Sequence, residues 1–225
     1  NYKRFKMVKN ILAIGAHPDD IEFGCFGTLK KHLNEGDNVT LLVMTHSDVE
    51  DIYTGNIVRD SSISKQEAST SAEVLGAKLV LGPFQDTKVP FNSKSVGFIE
   101  KVIRENNIDW IYTHWAGDTH QDHINTLNAT MASARLVKNV LCYEQVPLPR
   151  VCRNYPIANY YVDITDTIED KINSCKCHNS QIEKYNKMGI DMLDNLVTLA
   201  KFRGTQCNIK YAEAFNVLKI VKNEF

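Results

Sequence analysis

Two apolar runs with one helical stretch between them fill residues 9–44, and that order allows few folds. Lys9–Ala16 carries Ile-Leu-Ala-Ile without a polar break, the pattern of a strand covered on both faces. Phe23–Glu35 repeats Leu29 and Leu33 at helical spacing, and Gly36 stands where a C-terminal cap belongs. Val39–Met44 is the second apolar run. Strand, helix and strand within roughly thirty residues make a βαβ unit. Its right-handed crossover dictates a parallel sheet.

The alternation continues. Helices are expected over 64–75, 93–106, 124–137, 165–187 and 189–203, the last ended by Gly204. Ser64 and Glu67 have the spacing of a capping box. Strands are expected over 78–81, 108–113, 139–143, 160–164 (an edge strand) and 212–221. The polar stretch 45–62 reads as a long loop beside the carboxyl end of the second strand. Residues 144–156 hold Pro147, Pro149 and Pro156 and read as an irregular crossing. The fold predicted is α/β, a three-layer sandwich with a mainly parallel sheet, in a single domain over 1–225. Ligands then bind at the carboxyl ends of the strands.

Composition narrows the function by exclusion. A net charge of −1 with no Lys/Arg run argues against a nucleic-acid partner. No apolar run approaches the roughly 18–20 residues of a membrane span, and no cleavable apolar leader precedes the first strand. Cys25, Cys142, Cys152, Cys175, Cys177 and Cys207 form no C-x-x-C pair, as in a reduced, cytoplasmic protein.

The chemistry gathers at two strand ends. The first strand breaks into His17-Pro18-Asp19-Asp20, and the strand ending at Thr113 breaks into a loop running from His114 to His123. His17, His114, His120 and His123 are four of the seven histidines. An Asp-Asp pair alone is usually a turn or a helix cap. Both fragments, each directly after an apolar strand, instead suggest His and carboxylate ligands around a catalytic Zn²⁺ with an open position; Fe²⁺ suits the same donors. His17, Asp20 and His123 are the expected ligands. Asp19 is then free to act as general base on water, His120 can face a substrate oxygen, and Asp122 can orient a histidine. Three further residues stay open between two readings. Glu22 is a pocket acid or a first-turn helix acid, Trp115 a stacking platform for substrate or a core or rim aromatic, and His178 a pocket wall or a plain helix histidine.

These residues carry a resemblance. Ala16-His17-Pro18-Asp19-Asp20-Ile21-Glu22 resembles the A-H-P-D-D-E signature of the PIG-L/LmbE-like zinc-dependent deacetylases, and His120-Gln121-Asp122-His123 resembles their H-P-D-H motif. Thr113-His114-Trp115, Glu67-Ala68 with Leu75-Gly76, His178-Asn179-Ser180-Gln181 and Tyr211-Ala212-Glu213-Ala214-Phe215 extend it over nearly the whole chain. Three departures stand out: Ile21 interrupts the signature, Gln121 replaces proline, and Ser64 stands where many relatives carry arginine.

The resemblance implies a Rossmann-like fold, zinc on His17, Asp20 and His123, and removal of an N-acetyl group from an amino-sugar conjugate such as an N-acetylglucosamine derivative. Asp19 would take a proton from the attacking water and return it to the leaving amine, while zinc and protonated His120 stabilise the oxyanion. It also implies a small-molecule substrate and is compatible with a homo-oligomer. The rival readings are an amidase for another amide, a nucleotide-sugar binder of Rossmann type, and a non-catalytic binding module. The nucleotide reading wants G-x-G-x-x-G after the first strand, where this chain has two carboxylates.

Overall fold

The computed structural model describes residues 7–46, 48–51, 53–146 and 157–221. The first βαβ unit forms as its pattern requires: β1 (Asn10–Gly15), α1 (Asp20–Asn34) and β2 (Asn38–Thr45). Next come β3 (Val49–Glu50), β4 (Ile57–Arg59), α2 (Ser61–Leu75), β5 (Lys78–Phe84), α3 (Ser93–Glu105), β6 (Trp110–Thr113), α4 (Gln121–Ser133) and β7 (Asn139–Tyr143). The chain closes with β8 (Tyr160–Asp163), α5 (Ile168–Lys176), α6 (Asn179–Lys187), α7 (Met192–Thr205) and β9 (Ala212–Lys219).

Seven strands form one sheet in the order β5-β2-β1-β6-β7-β9-β8. The first five run parallel. β9 and β8 close one side antiparallel, with β8 at the edge. Both faces are covered, and the alternation along β1 shows it. Ile11 and Ala13 join Phe26 and Leu29 of α1 on one side. Leu12 and Ile14 join Ile99 of α3 and Ala129 of α4 on the other. The expected three-layer α/β sandwich is the fold observed. Strand order reverses between β1 and β6, and the chain after each opens on that crevice, where open α/β sheets bind ligands.

Several boundaries moved. Residues 45–62 are no plain loop, since β3 and β4 pair as a short antiparallel ribbon. α2 starts at Ser61, where Asp60 accepts the Ser62 amide at 2.7 Å. Ser64 is therefore not its cap, and Glu67 completes no capping box. The helix expected over 165–187 is two. It breaks at Cys177-His178, where His178 turns inward to within 3.2 Å of Glu22. The new N-terminus is satisfied from outside: Glu67 accepts the Ser180 amide at 2.7 Å and its hydroxyl at 2.6 Å. Gly204 lies inside α7 rather than after it, and the returning chain passes so close that a Cβ there would fall 2.6 Å from the Ile209 carbonyl oxygen. The irregular crossing expected at 144–156 lies outside the described residues from 147 on.

Candidate active site

α1 begins at Asp20, three residues earlier than its apolar spacing indicates, so His17 and Asp20 flank the first turn of a buried helix. Pro18 and Asp19 make the bend. Asp19 has φ 121°, a conformation that side-chain-bearing residues rarely adopt. The second fragment also starts its helix early. His120 is the N-cap of α4, its Nδ1 accepting the Asp122 amide at 3.2 Å, and His123 sits in the first turn.

The two fragments converge. His17 Nδ1 lies 3.3 Å from His123 Nε2 and 3.5 Å from Asp20 Oδ2, and His123 Nε2 lies 3.4 Å from Asp20 Oδ1. Ligand atoms about 2.0–2.2 Å from a tetrahedral zinc stand about 3.3–3.6 Å apart. Among the described residues, groups of three N and O donors close enough to hold such an ion, or Fe²⁺, are His17–His120–His123, Asp20–His114–His123 and His17–Asp86–Asp122; in the expected set the two short distances to Asp20 run to different oxygens.

The other nitrogen of each imidazole is held by a carboxylate. His17 Nε2 is 3.0 Å from Asp122 Oδ2, and His123 Nδ1 is 2.8 Å from Asp118 Oδ2. This is how metal-binding histidines are oriented. Asp122 is itself fixed, accepting the amides of Thr87 at 2.7 Å and Val89 at 3.0 Å. Gln145 donates to Asp20 Oδ1 at 3.1 Å. His114 stacks flat on His123, with ring centroids 4.1 Å apart. Its Nε2 accepts the Ala16 amide at 2.9 Å and lies 3.2 Å from Asp20 Oδ2.

The electrostatics follow from burial and this crowding. Burial, helped by the charge of Asp20, pushes Asp19 up to about 6. For Asp20 burial acts the same way, but His123 and His114 outweigh it and hold the carboxyl well below its usual range. Burial disfavours charge on His123, yet Asp20 and Asp118 push it up to about 9. Burial similarly opposes charge on His17, which Asp122 and Asp20 raise well above the ordinary value. Burial brings His114 down to about 4. It also lowers His120, helped by the charges of His17 and His123. A neutral His120 that accepts on Nδ1 carries its hydrogen on Nε2, so it is a donor without the second proton expected above.

Three expected pocket residues are not brought to the pocket. Glu22 is buried, accepting from Ser71 Oγ at 2.6 Å and facing His178 at 3.2 Å. His178 is 0% exposed. Trp115 packs in the core with Leu127 and Cys142. Sequence reasoning had assigned no role to Asp118, Gln145 or His114. Asp118 had a signal, since each histidine expected to bind metal needs an acceptor for its other nitrogen, and Asp122 holds His17.

The site opens into a cavity of about 600 Å³ lined by His17, Asp19, Asp20, His120 and His123 among others. No helix among the described residues is long and apolar enough to cross a membrane. Comparison with known proteins gives a family match over residues 12–134, to the family described as GlcNAc-PI de-N-acetylase (PIG-L). The chain is 34% identical over 144 residues to the uncharacterized deacetylase YaiS of Escherichia coli (strain K12), covering 60% of this chain and 74% of that one. It is 26% identical over 227 residues to the diacetylchitobiose deacetylase of Thermococcus kodakarensis, covering 93% of this chain and 83% of the other. Among solved structures, the 4-carboxy-2-hydroxymuconate hydratase GalB of Pseudomonas putida KT2440 superposes with a TM-score of 0.78, covering 97% of this chain and 99% of that one. At 18% identity that likeness concerns the fold alone.

Proposed function

The chain belongs to the PIG-L family of de-N-acetylases, and from that premise we propose that it is a metal-dependent hydrolase that removes the N-acetyl group from an amino-sugar conjugate. The observation that carries the reading is the mutual spacing of His17 Nδ1, Asp20 and His123 Nε2, 3.3–3.5 Å, with Asp19 beside them at the floor of an open cavity. His17, Asp20 and His123 would hold the metal, zinc being the expected ion. When bound, such an ion polarises the acetamide carbonyl and lowers the pKa of water at its open position.

The chain's own residues do the rest. Asp19, with its affinity for protons raised by burial, accepts the proton of the water that adds to the carbonyl carbon. His120 donates from Nε2 to the developing oxyanion. The C–N bond then breaks as Asp19 returns the proton to nitrogen, leaving acetate and a free amine. Asp122 and Asp118 keep His17 and His123 pointed at the metal throughout.

Two variants test the assignment. Asp19→Asn should lower kcat about 10²–10⁴-fold while bound metal stays near one equivalent. His123→Ala should lose the metal itself. Wild-type turnover in the first, or full metal occupancy in the second, removes that residue from its role. Acetate release from N-acetylated sugars separates this reading from a hydratase on the same fold, which would release none.

A further inference from the structure

α1 is not one continuous helix. Cys25 has φ −143° and ψ 16°, outside the helical range, and it divides α1 into a short segment, residues 20–24, and a longer one, residues 26–34. Sharp bends in a helix have a local cause, among them a side chain inserted into the ladder of backbone bonds. Here the inserted side chain is Glu213 of β9. Its Oε1 accepts the Gly27 amide at 3.0 Å, and its Oε2 accepts the Thr28 amide at 2.7 Å and the Thr28 hydroxyl at 2.5 Å. In an unbroken helix those two amides would bond to the carbonyls of Phe23 and Gly24. The Gly24 carbonyl instead accepts from Lys171 Nζ of α5 at 3.3 Å, and the same ammonium lies 2.5 Å from Glu213 Oε1. Thr167, the N-cap of α5, donates from Oγ1 to the Gly27 carbonyl at 2.9 Å.

The break is therefore capped on both sides. A carboxylate sits at the N-terminus of the longer segment and an ammonium at the C-terminus of the shorter one, each the charge that end favours. Lys171 and Glu213 are both buried. A buried ion pair is weak evidence for a role in stability, since apolar residues of similar volume often do as well. Gly27 lets the carboxylate in: a Cβ there would fall 3.2 Å from Glu213 Oε1 and 2.9 Å from Ile164.

The short segment carries the site. Asp20 is its first residue, with Oδ1 3.4 Å from His123 Nε2 and Oδ2 3.5 Å from His17 Nδ1. Asp20 and Gly24 are about one helical turn apart, so whatever holds the Gly24 carbonyl also aims the Asp20 carboxylate. The longer segment is anchored on the sheet by Phe26 and Leu29. A straight α1 on that anchor would carry Asp20 elsewhere. Resting on the metal-dependent reading above, we propose that Lys171 and Glu213 are positioning residues. By breaking α1 they set the aim of Asp20, and with it metal affinity and turnover.

The test compares Lys171→Met and Gly27→Ala with Val102→Ala, a change in the buried core under α3 on the other face of the sheet. Urea midpoints establish that each full chain is folded. The probe is Co²⁺, which takes the same N and O donors. Its affinity is read by competition with a chromogenic chelator, and its ligand field by the visible spectrum of the bound ion. Lys171→Met and Gly27→Ala should each weaken Co²⁺ binding about tenfold and shift the spectrum. Acetate release should lose kcat with KM unchanged, because neither residue lines the cavity. Lys171→Arg keeps a cation and a donor at the break and should restore affinity. Val102→Ala should lower the urea midpoint and leave affinity and spectrum as they are. Wild-type affinity and spectrum in Lys171→Met would overturn the proposal, as would an equal loss in Val102→Ala. Where Lys171→Met does not fold, the same result in Gly27→Ala decides. A wild-type chain that binds Co²⁺ but frees no acetate from any N-acetylated sugar removes the deacetylase reading and leaves the positioning role to the affinities. A wild-type chain that binds no Co²⁺ overturns both.

Discussion

Asp19 is held at φ 121° between a proline and the first residue of a helix. Conformations of this kind cost about 1–3 kcal/mol and persist where the surroundings over-determine them. Its carboxylate is buried and adjoins that of Asp20, a second cost. Asp19→Gly removes both. Its Tm should therefore rise, by about 2–4 °C per kcal/mol at this chain length, while acetate release is lost. A lower Tm by calorimetry would mean that Asp19 is not strained. Asp118 makes the complementary case. One oxygen holds His123 Nδ1 at 2.8 Å, and the other accepts the His120 amide at 2.8 Å. Asp118→Asn should weaken metal binding about 10–100-fold, as losses behind a ligand histidine do. Competition against a chromogenic chelator measures it.

α1 is the element that aims the first fragment, and small residues let it lie close to its neighbours. Gly24 sits against the ring of Tyr143 on β7, where an added Cβ would fall 2.4 Å from Cδ2. The Tyr143 hydroxyl donates to the Ile14 carbonyl at 2.9 Å and lies 3.3 Å from His114 Nε2. A shift of α1 is therefore felt at the site. Gly24→Ala should destabilise the fold by about 1–3 kcal/mol through overpacking, read as a lower urea midpoint with unchanged slope. One turn on, Glu213 of β9 accepts the amides of Gly27 and Thr28 and pairs with Lys171 of α5. That buried pair explains why a polar residue sits within the otherwise apolar start of the last strand. Lys171→Ala would strand the carboxylate, and breaking such pairs costs about 3–5 kcal/mol.

At the scale of the molecule, the site joins segments about a hundred residues apart, because β1 and β6 are neighbours in the sheet. A metal on His17, Asp20 and His123 would cross-link them in the folded state alone. A ligand at a hundredfold excess over its Kd adds about 2.7 kcal/mol. Chelation should accordingly lower the Tm by several degrees and added Zn²⁺ should restore it; a Tm indifferent to chelator would argue against a metal bridging the two loops. The cavity draws on a third region, since residues of α6 and α7 also line it. A hydratase has the same fold, so chemistry resides in the side chains of the site and not in strand order.

Much of this was legible in the amino-acid order. The βαβ alternation dictated a parallel sheet, and the chain after two apolar strands, carrying His17-Pro18-Asp19-Asp20 and His120-Gln121-Asp122-His123, was expected to meet at one crevice, where the structure brings the two together. Those are local properties, set by the period of the apolar residues and by what interrupts it. Tertiary structure alone decided the rest. Helix starts moved by three residues where Asp60 and His120 supply caps that periodicity does not see. Glu22, Trp115 and His178 went to the interior because burial depends on what packs above them, and both helix faces look alike in sequence. The helix expected over 165–187 broke because His178 meets Glu22 and Glu67 caps the new end, contacts that bridge 156 and 113 positions. The roles of Asp118 and Gln145 depend on distances of about 3 Å, which exist only once the sheet has brought separate strand ends together.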